Sequence, residues 1–500
     1  MTESSDEALA GRVLMPYAFG NSATDVDAAS AAANQKLAGV RTPAEMVERF
    51  HLGGMILVGF AADDPTGATN PATNVENPKQ VRALTDGLRA ASKQPLLIGT
   101  DQEYGVVTRV RDGVTMLPSA MGLGAAGRPE LTEKAWKVAG AELAAMGINV
   151  DFAPVADTLG PGGSAVIGSR SFGDDPAANA DQVAAAVRGL RGAGVASALK
   201  HFPGHGHTTA DSHKELPVVS LSRAEWQRQD RPPFAAGVAA GAQLVMSGHL
   251  DVAAIDPGVP ATFSRKVMTR VLRDDLKFTG VAVTDAMNMA PAMKWPPGEA
   301  AVRALLAGND LLLMPSDVTA ARDGILAALR DGRLPRARLV EAAERVRTLA
   351  ASLKPAPFEG VGSAEHLTAV RPAAAAAITV LRGKCDGSLV TGPVTVTASG
   401  GREAARSALA SALGAAGEGG TVVHLVGYGD KPADLNPAAA VTVVMDKPDI
   451  LASSKSPTLV ATYSSSPASM SALADVLTGR AAAGGRSPVA VPGLPRSACT

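Results

Sequence analysis

Eight short apolar runs alternate with eight longer amphipathic stretches over the first two thirds of this chain, and that alternation restricts the fold most. The strand-like runs are Val13–Tyr17, Met55–Phe60, Pro95–Thr100, Asn149–Pro154, Ala196–Lys200, Gln243–Ser247, Val281–Thr284 and Asp310–Met314. Helical patterns at Thr42–Arg49, Asn77–Ser92, Pro129–Met146, Pro176–Ala193, Ser222–Ala240, Ser264–Leu276, Pro297–Ala307 and Val318–Asp331 fall between and after them. Eight βα units in a row predict a (β/α)8 TIM-type barrel, with a doubly wound open sheet as the alternative. Polar residues gather where the barrel reading puts the C-terminal strand ends: Asp101, Asp157, Lys200 and His201, His249, and Asp285. Active sites of this fold sit at that face, so the asymmetry points to an enzyme.

Five hundred residues exceed what one hydrophobic core supports, so a second unit is expected. The Pro/Gly-rich stretch Lys354–Gly362 suits a linker. Beyond it, strand-like Val394–Ala398, Val422–Val426, Val441–Met445 and Leu459–Tyr463 alternate with helical Arg402–Leu413 and Ser466–Leu477. The expectation is a catalytic barrel over 1–355 and a smaller α/β sandwich domain over 356–500. A formal net charge of -1 offers no basic field for nucleic acid. No apolar run is long enough for a membrane span. The acidic N-terminal stretch lacks the pattern of an export signal, which reads at face value as cytoplasmic; export or lipid anchoring follows if a signal was removed. Cys385 and Cys499 make neither a disulfide framework nor a C-x-x-C site, and leave the redox compartment open.

Four of the eight histidines lie in Lys200–His213, KHFPGHGHTTADSH. The connection from Phe202 to about Leu221 is much longer than an ordinary βα loop, and such loops are commonly functional. Gly204 and Gly206 are candidate hinges. Asp211 and His213 have the i, i+2 spacing that sets a carboxylate beside an imidazole in an extended or turn segment. The carboxylate would fix the tautomer and leave the other nitrogen for proton transfer near pH ~6.5. A merely structural His213 is the alternative. A second alternative is a metal site at His201, His205 and His207, although glycines surround the last two and no HExxH helix is present.

KHFPGHG followed by DSH resembles the signature of glycoside hydrolase family 3, in its bacterial β-N-acetylglucosaminidase branch. TDQEYGVVTRV (Thr100–Val110), INVDFAPVAD (Ile148–Asp157), IGSRSFGDDP (Ile167–Pro176) and PATFSRKVMTRVLRDDLKFTGVAVTDAMNMA (Pro260–Ala290) resemble further stretches of that family in order. The tail segments SSPASMSALADVLTGR and SPVAVPG resemble the second domain of longer members. The resemblance implies Asp285 as nucleophile, His213 as acid/base oriented by Asp211, and Asp101, Arg109, Arg170, Lys200 and His201 as ligands of the terminal sugar's hydroxyls. Arg170, and Arg109 facing Glu103, each have a structural salt bridge as the alternative, and Asp157 and His249 stand behind the site. Lys200 is the cation expected to keep Asp285 ionised. Tyr104 stands where the family usually has glycine, with a narrowed pocket or stacking on the sugar as the expectation. His207 stands where the family often has aspartate.

The implied activity is that of a retaining exo-β-N-acetylglucosaminidase working by double displacement, without cofactor or metal. Its substrate is a GlcNAc-containing oligosaccharide or muropeptide. Because a histidine base repels phosphate less than a carboxylate does (about 4 kcal/mol at 4 Å with an effective dielectric of 20), phosphorolysis is the runner-up. A metal-dependent barrel hydrolase or a non-catalytic GlcNAc-binding protein would be a different class.

Overall fold

The computed structural model of the protein describes residues 5–59, 73–162, 164, 166–414 and 419–499. Its first part is a closed ring of eight parallel strands. Six form one sheet in the order β7–β6–β5–β4–β3–β2: β2 (Gly54–Leu57), β3 (Leu97–Thr100), β4 (Val150–Asp151), β5 (Ala196–Phe202), β6 (Leu244–Ser247) and β7 (Val281–Thr284). The remaining two, β1 (Leu14–Met15) and β8 (Leu312–Leu313), pair with each other. They close the ring through Ile56 N–H to Pro16 O at 3.0 Å on one side and Thr284 N–H to Leu311 O at 3.0 Å on the other. Strands buried on both faces read as continuous apolar runs rather than alternating ones. Leu97, Ile98, Val150, Leu244, Val245, Val281 and Val283 are accordingly all buried. Each such side chain contributes about 1.5–3 kcal/mol by leaving water.

The outer ring follows from start signals in the sequence. Around it run α1 (Pro43–Phe50), α2 (Pro78–Ala91), α3 (Pro129–Ala145), α4 (Pro176–Gly192), α5 (Arg231–Ala239), α6 (Pro297–Ala307) and α7 (Val318–Arg330). The first four begin on proline, whose fixed φ suits the first helical position. Thr42 and Glu45 form a capping box before α1, and Asn77 and Asp175 cap α2 and α4. After β6 the helical segment Lys266–Asp275 has the wider π-type turn. The single helical stretch expected over 222–240 is two helices, Arg223–Gln229 and α5, parted at Asp230 where Pro232 and Pro233 remove backbone donors. Phe60, the last residue of the second expected strand, lies outside the described residues.

The chain continues through α8 (Arg336–Ser352), the stretch Lys354–Gly362 without regular structure, and α9 (Ala364–Ala377). Val370 and Ala373 of α9 join the barrel's apolar cluster, so the helix packs on the barrel while leading out of it. A second sheet follows in the order β9–β13–β12–β11–β10, from β9 (Thr379–Arg382), β10 (Val394–Ala398), β11 (Thr421–Val426), β12 (Val441–Val444) and β13 (Thr458–Ala461). Only β9 is antiparallel to its neighbour. α10 (Glu403–Leu413) joins β10 to β11 and α11 (Pro467–Leu477) follows β13; their Leu409, Met470, Leu473 and Leu477 share one apolar cluster with the sheet. Cys385 and Cys499 are joined in a disulfide that fastens the C-terminal end to the start of this sheet. Among the described residues no helix is long and apolar enough to cross a membrane.

Candidate active site

A cavity of about 650 Å³, its mouth included, opens at the C-terminal ends of the barrel strands. Asp101, Arg109, Arg170, Lys200, His201, His213 and Asp285 all line it. Asp211 stands behind His213. Every site residue expected from the sequence is therefore in one place. Val58, Val107, Val166, Met246, Met289, Leu313 and Met314 supply apolar wall between the polar groups.

One side is a dense ionic cluster. Asp101 leaves the end of β3, and Glu103 follows two residues later on the same face of extended chain. Lys200 Nζ donates to Asp101 and to Glu103, both at 2.6 Å. Arg170 grips Glu103 with Nε at 2.7 Å and its terminal nitrogen at 2.9 Å, the fork geometry of guanidinium on carboxylate. Arg109 lies 3.4 Å from Asp101. Burial pushes the Glu103 carboxyl up, but Arg170 and Lys200 outweigh it and hold it well below the usual range. Burial likewise raises Asp101, and Lys200 and Arg109 bring it below normal. Desolvation lowers Lys200, and the two carboxylates more than restore it. All stay charged, in a wall presenting both donors and acceptors.

His201 joins this wall to a deeper anchor. Its Nδ1 meets Asp157 Oδ2 at 2.7 Å, and its Nε2 faces Arg170 at 3.4 Å. Asp157, fully buried, also accepts the backbone N–H groups of His201 and His205 on Oδ1. Asp151 lies beneath: it accepts Gln102 N–H at 2.9 Å, and burial pushes its carboxyl well above the ordinary range.

Opposite is Asp285, one residue past β7. Ala286 N–H donates to its Oδ1 at 2.8 Å, and its own N–H is tied to Ser247 O. Burial raises this carboxyl, but His201, His249 and His213 outweigh burial and keep it ionised. Lys200, the residue expected to keep Asp285 charged, is spent on Asp101 and Glu103. His249 faces Thr262 Oγ1 and Ala286 O, which fixes the strand end carrying Asp285.

The long loop after β5 brings in the dyad. Asp211 Oδ1 accepts from His213 N–H at 3.0 Å and meets its Nδ1 at 2.8 Å, leaving Nε2 for a substrate. The bond from His213 holds the Asp211 carboxyl well below its usual range, against some burial. Only Asp211 Oδ2 reaches outward, to the exposed Lys214 at 3.6 Å.

Three expectations change. The triplet His201, His205 and His207 does not converge: His201 bonds Asp157, His205 bonds Thr208 and Ser212, and His207 bonds Asp230 and Gln229. Among the described residues no three His, Cys, Asp or Glu groups form a metal cage. Gly204 and Gly206 make close approaches, since a side chain there would strike Asp230 and the Thr158 carbonyl. Tyr104 does not reach the cavity; it packs edge-on against Trp136 and is buried at φ +63°, a backbone angle that explains why glycine suits this position. Glu103, expected opposite Arg109, is held by Arg170.

The profile described as "Glycosyl hydrolase family 3 N terminal domain" matches residues 30–349. A beta-hexosaminidase of Pseudomonas aeruginosa strain LESB58 is 40% identical over 274 residues, 54% of this chain and 80% of that one. Beta-hexosaminidase A of Pseudoalteromonas piscicida is 37% identical over 293 residues, but the match spans only 47% of that longer relative. A glycoside hydrolase family 3 beta-N-acetylglucosaminidase from Paenibacillus sp. str. FPU-7 superposes with a TM-score of 0.84 at 30% identity, over 98% of this chain and 99% of that one. Beta-glucoside phosphorylase BglX superposes with a TM-score of 0.82 at 22% identity, over 98% of this chain and 94% of that one, a likeness of fold.

Proposed function

The chain belongs to glycoside hydrolase family 3, and from that premise we propose that it is a retaining exo-β-N-acetylglucosaminidase. One observation carries the reading: Asp285 and the Asp211–His213 pair border the same cavity as a wall of charged hydrogen-bonding groups. Asp101, Arg109, Arg170, Lys200 and His201 supply paired donors and acceptors for the hydroxyls of one terminal sugar. The apolar wall leaves room for the acetamido methyl.

In the first step the Asp285 carboxylate attacks the anomeric carbon while His213 Nε2 protonates the departing oxygen. In the second, neutral His213 takes a proton from water, which displaces Asp285 and restores the β configuration. Asp211 fixes the ring through Nδ1 and stabilises the imidazolium that enters the first step and is regenerated by the second. No cofactor enters this scheme. Residues 1–355 act as the catalytic barrel and 356–500 as a second domain that shapes and supports it. The disulfide suits an oxidising compartment, which favours export over the cytoplasmic expectation. The names of the relatives and the site support a substrate ending in non-reducing GlcNAc, either a muropeptide or a chitooligosaccharide.

Reaction with a 5-fluoro GlcNAc donor followed by peptide mapping tests the assignment. The label is expected on Asp285; a label on any other residue removes it as nucleophile. Product analysis with inorganic phosphate added decides the acceptor: free GlcNAc alone supports hydrolysis, and GlcNAc-1-phosphate would replace it with phosphorolysis.

A further inference from the structure

His205 belongs to neither the sugar-binding wall nor the dyad, yet it lies between them and is 1% exposed. The loop is rooted at Asp157, whose Oδ1 accepts His201 N–H at 3.1 Å and His205 N–H at 2.7 Å. From that root the His205 ring reaches across the loop. Its Nδ1 meets Thr208 Oγ1 at 2.7 Å and its Nε2 meets Ser212 Oγ at 2.9 Å. Ser212 is the residue between Asp211 and His213.

Burial, and then the neighbouring His201, hold the His205 imidazole down to about 4. At neutral pH the ring therefore carries a single N–H. One proton arrangement satisfies every partner. The Thr208 hydroxyl donates to the His205 carbonyl at 2.9 Å, Nδ1–H donates to Thr208 Oγ1, and Nε2 accepts the Ser212 O–H. A neutral ring held at both nitrogens is a rigid strut, because turning it breaks both bonds.

We propose that His205 is a positioning residue that braces Ser212, and through it fixes the turn presenting Asp211 and His213 to the substrate. The proposal rests on the reading of His213 as acid/base. His205 itself transfers no proton in either step. It sets where the transferring imidazole stands, and a displacement well under the length of a bond is enough to weaken proton transfer.

The effect should follow the demand for acid. Two aryl GlcNAc substrates separate the steps: a phenol of high pKa needs protonation as it leaves, and dinitrophenol does not. In Ser212→Ala and His205→Ala, kcat/KM for the first should fall about tenfold, the worth of one well-made hydrogen bond, and remain near wild type for the second. His205→Gln, which keeps an amide group within reach of Ser212, should recover part of the loss. The double variant should be no worse than either single one, since both remove the same contact. Equal loss on both substrates, or a Ser212→Ala protein that matches wild type on the poor leaving group, overturns the brace. Ser212→Ala serves should His205→Ala fail to fold. A wild-type protein inactive on both aryl substrates would instead remove the function reading, and the brace with it.

Discussion

Glu103 is the residue on which the ionic wall of the cavity depends, because Lys200 and Arg170 both terminate on it inside the protein. Removing one member of a buried ion pair leaves the other charge uncompensated, at a cost of about 3–5 kcal/mol. Glu103→Gln keeps one acceptor oxygen, so the lower end, about 3 kcal/mol at pH 7, is expected in urea unfolding. The pH dependence has a definite sign. Arg170 and Lys200 hold this carboxyl below its unfolded value, so its stabilisation is complete above pH ~4.3 and is lost as the pH falls towards the folded value. The gap between wild type and Glu103→Gln should therefore narrow below pH 4; an equal gap at both pH values would refute the charge argument. At this scale the sequence was a good guide to which residues meet and a poor guide to whom they meet. Asp101, Arg109, Arg170, Lys200 and His201 were all legible as a group. Lys200 and Asp101 are 99 positions apart, and nothing local distinguishes Asp101 from Asp285 as the lysine's partner. Glu103 was legible in principle, since period-two alternation puts it on the face of Asp101.

The loop between β5 and α5 is tied down by His207. His207 Nδ1 meets Asp230 and its Nε2 meets Gln229, each at 2.7 Å, at the break between two helices. The Trp226 indole adds a bond to Pro203 O at 2.9 Å. Burial pushes the His207 imidazole down, but its bond and charge interaction with Asp230 outweigh burial and raise it. The charged anchor is complete below the unfolded histidine value of about 6.5 and weakens as pH rises through the higher folded one. Limited proteolysis within 203–213 should thus quicken on alkalinisation in wild type. In His207→Asn it should be fast throughout and nearly independent of pH; an unchanged pH profile in that variant would rule the anchor out. The strands and helices around this loop were legible because parallel barrel strands are unbroken apolar runs and most helices open on Pro or a capping residue. Several elements were missed, two of them beyond the eighth βα unit. β9 follows an alanine-rich helix without a turn residue between them, and α8 lacks a side-chain cap to mark its start. The split at Asp230 was hidden because helical periodicity runs through the proline pair.

On the scale of the whole molecule, the second sheet meets the barrel in a buried apolar cluster that joins Met121, Val155 and Ile167 to Val426, Val444 and Leu459, and the tail at 486–499 adds polar ties. Arg496 forms a two-pronged bond to Asp174 at 2.9 and 2.7 Å, Asp174 N–H donates to Pro488 O at 3.0 Å, and Arg486 N–H donates to Ala125 O at 3.0 Å. Ser169, beside Arg170 of the ionic wall, donates to Asp446 at the end of β12. The tail that makes these contacts is locked in place at its end, where Ala498 N–H donates to Val380 O at 2.7 Å and Cys499 is bonded to Cys385. None of this was readable from two cysteines 114 residues apart, because sequence reports spacing but not proximity. The crosslink restricts the unfolded chain over a loop of that length, worth up to about 4.7 kcal/mol on the chain-entropy account. Replacing both cysteines by serine should lower stability in urea by some kilocalories per mole and release the tail from Asp174, seen as faster amide exchange over 486–498. Catalysis should suffer less than stability, because every group lining the cavity comes from the barrel strands and their loops. A double variant that keeps full stability but loses turnover would reverse that order and make the second domain part of the catalytic apparatus rather than its support.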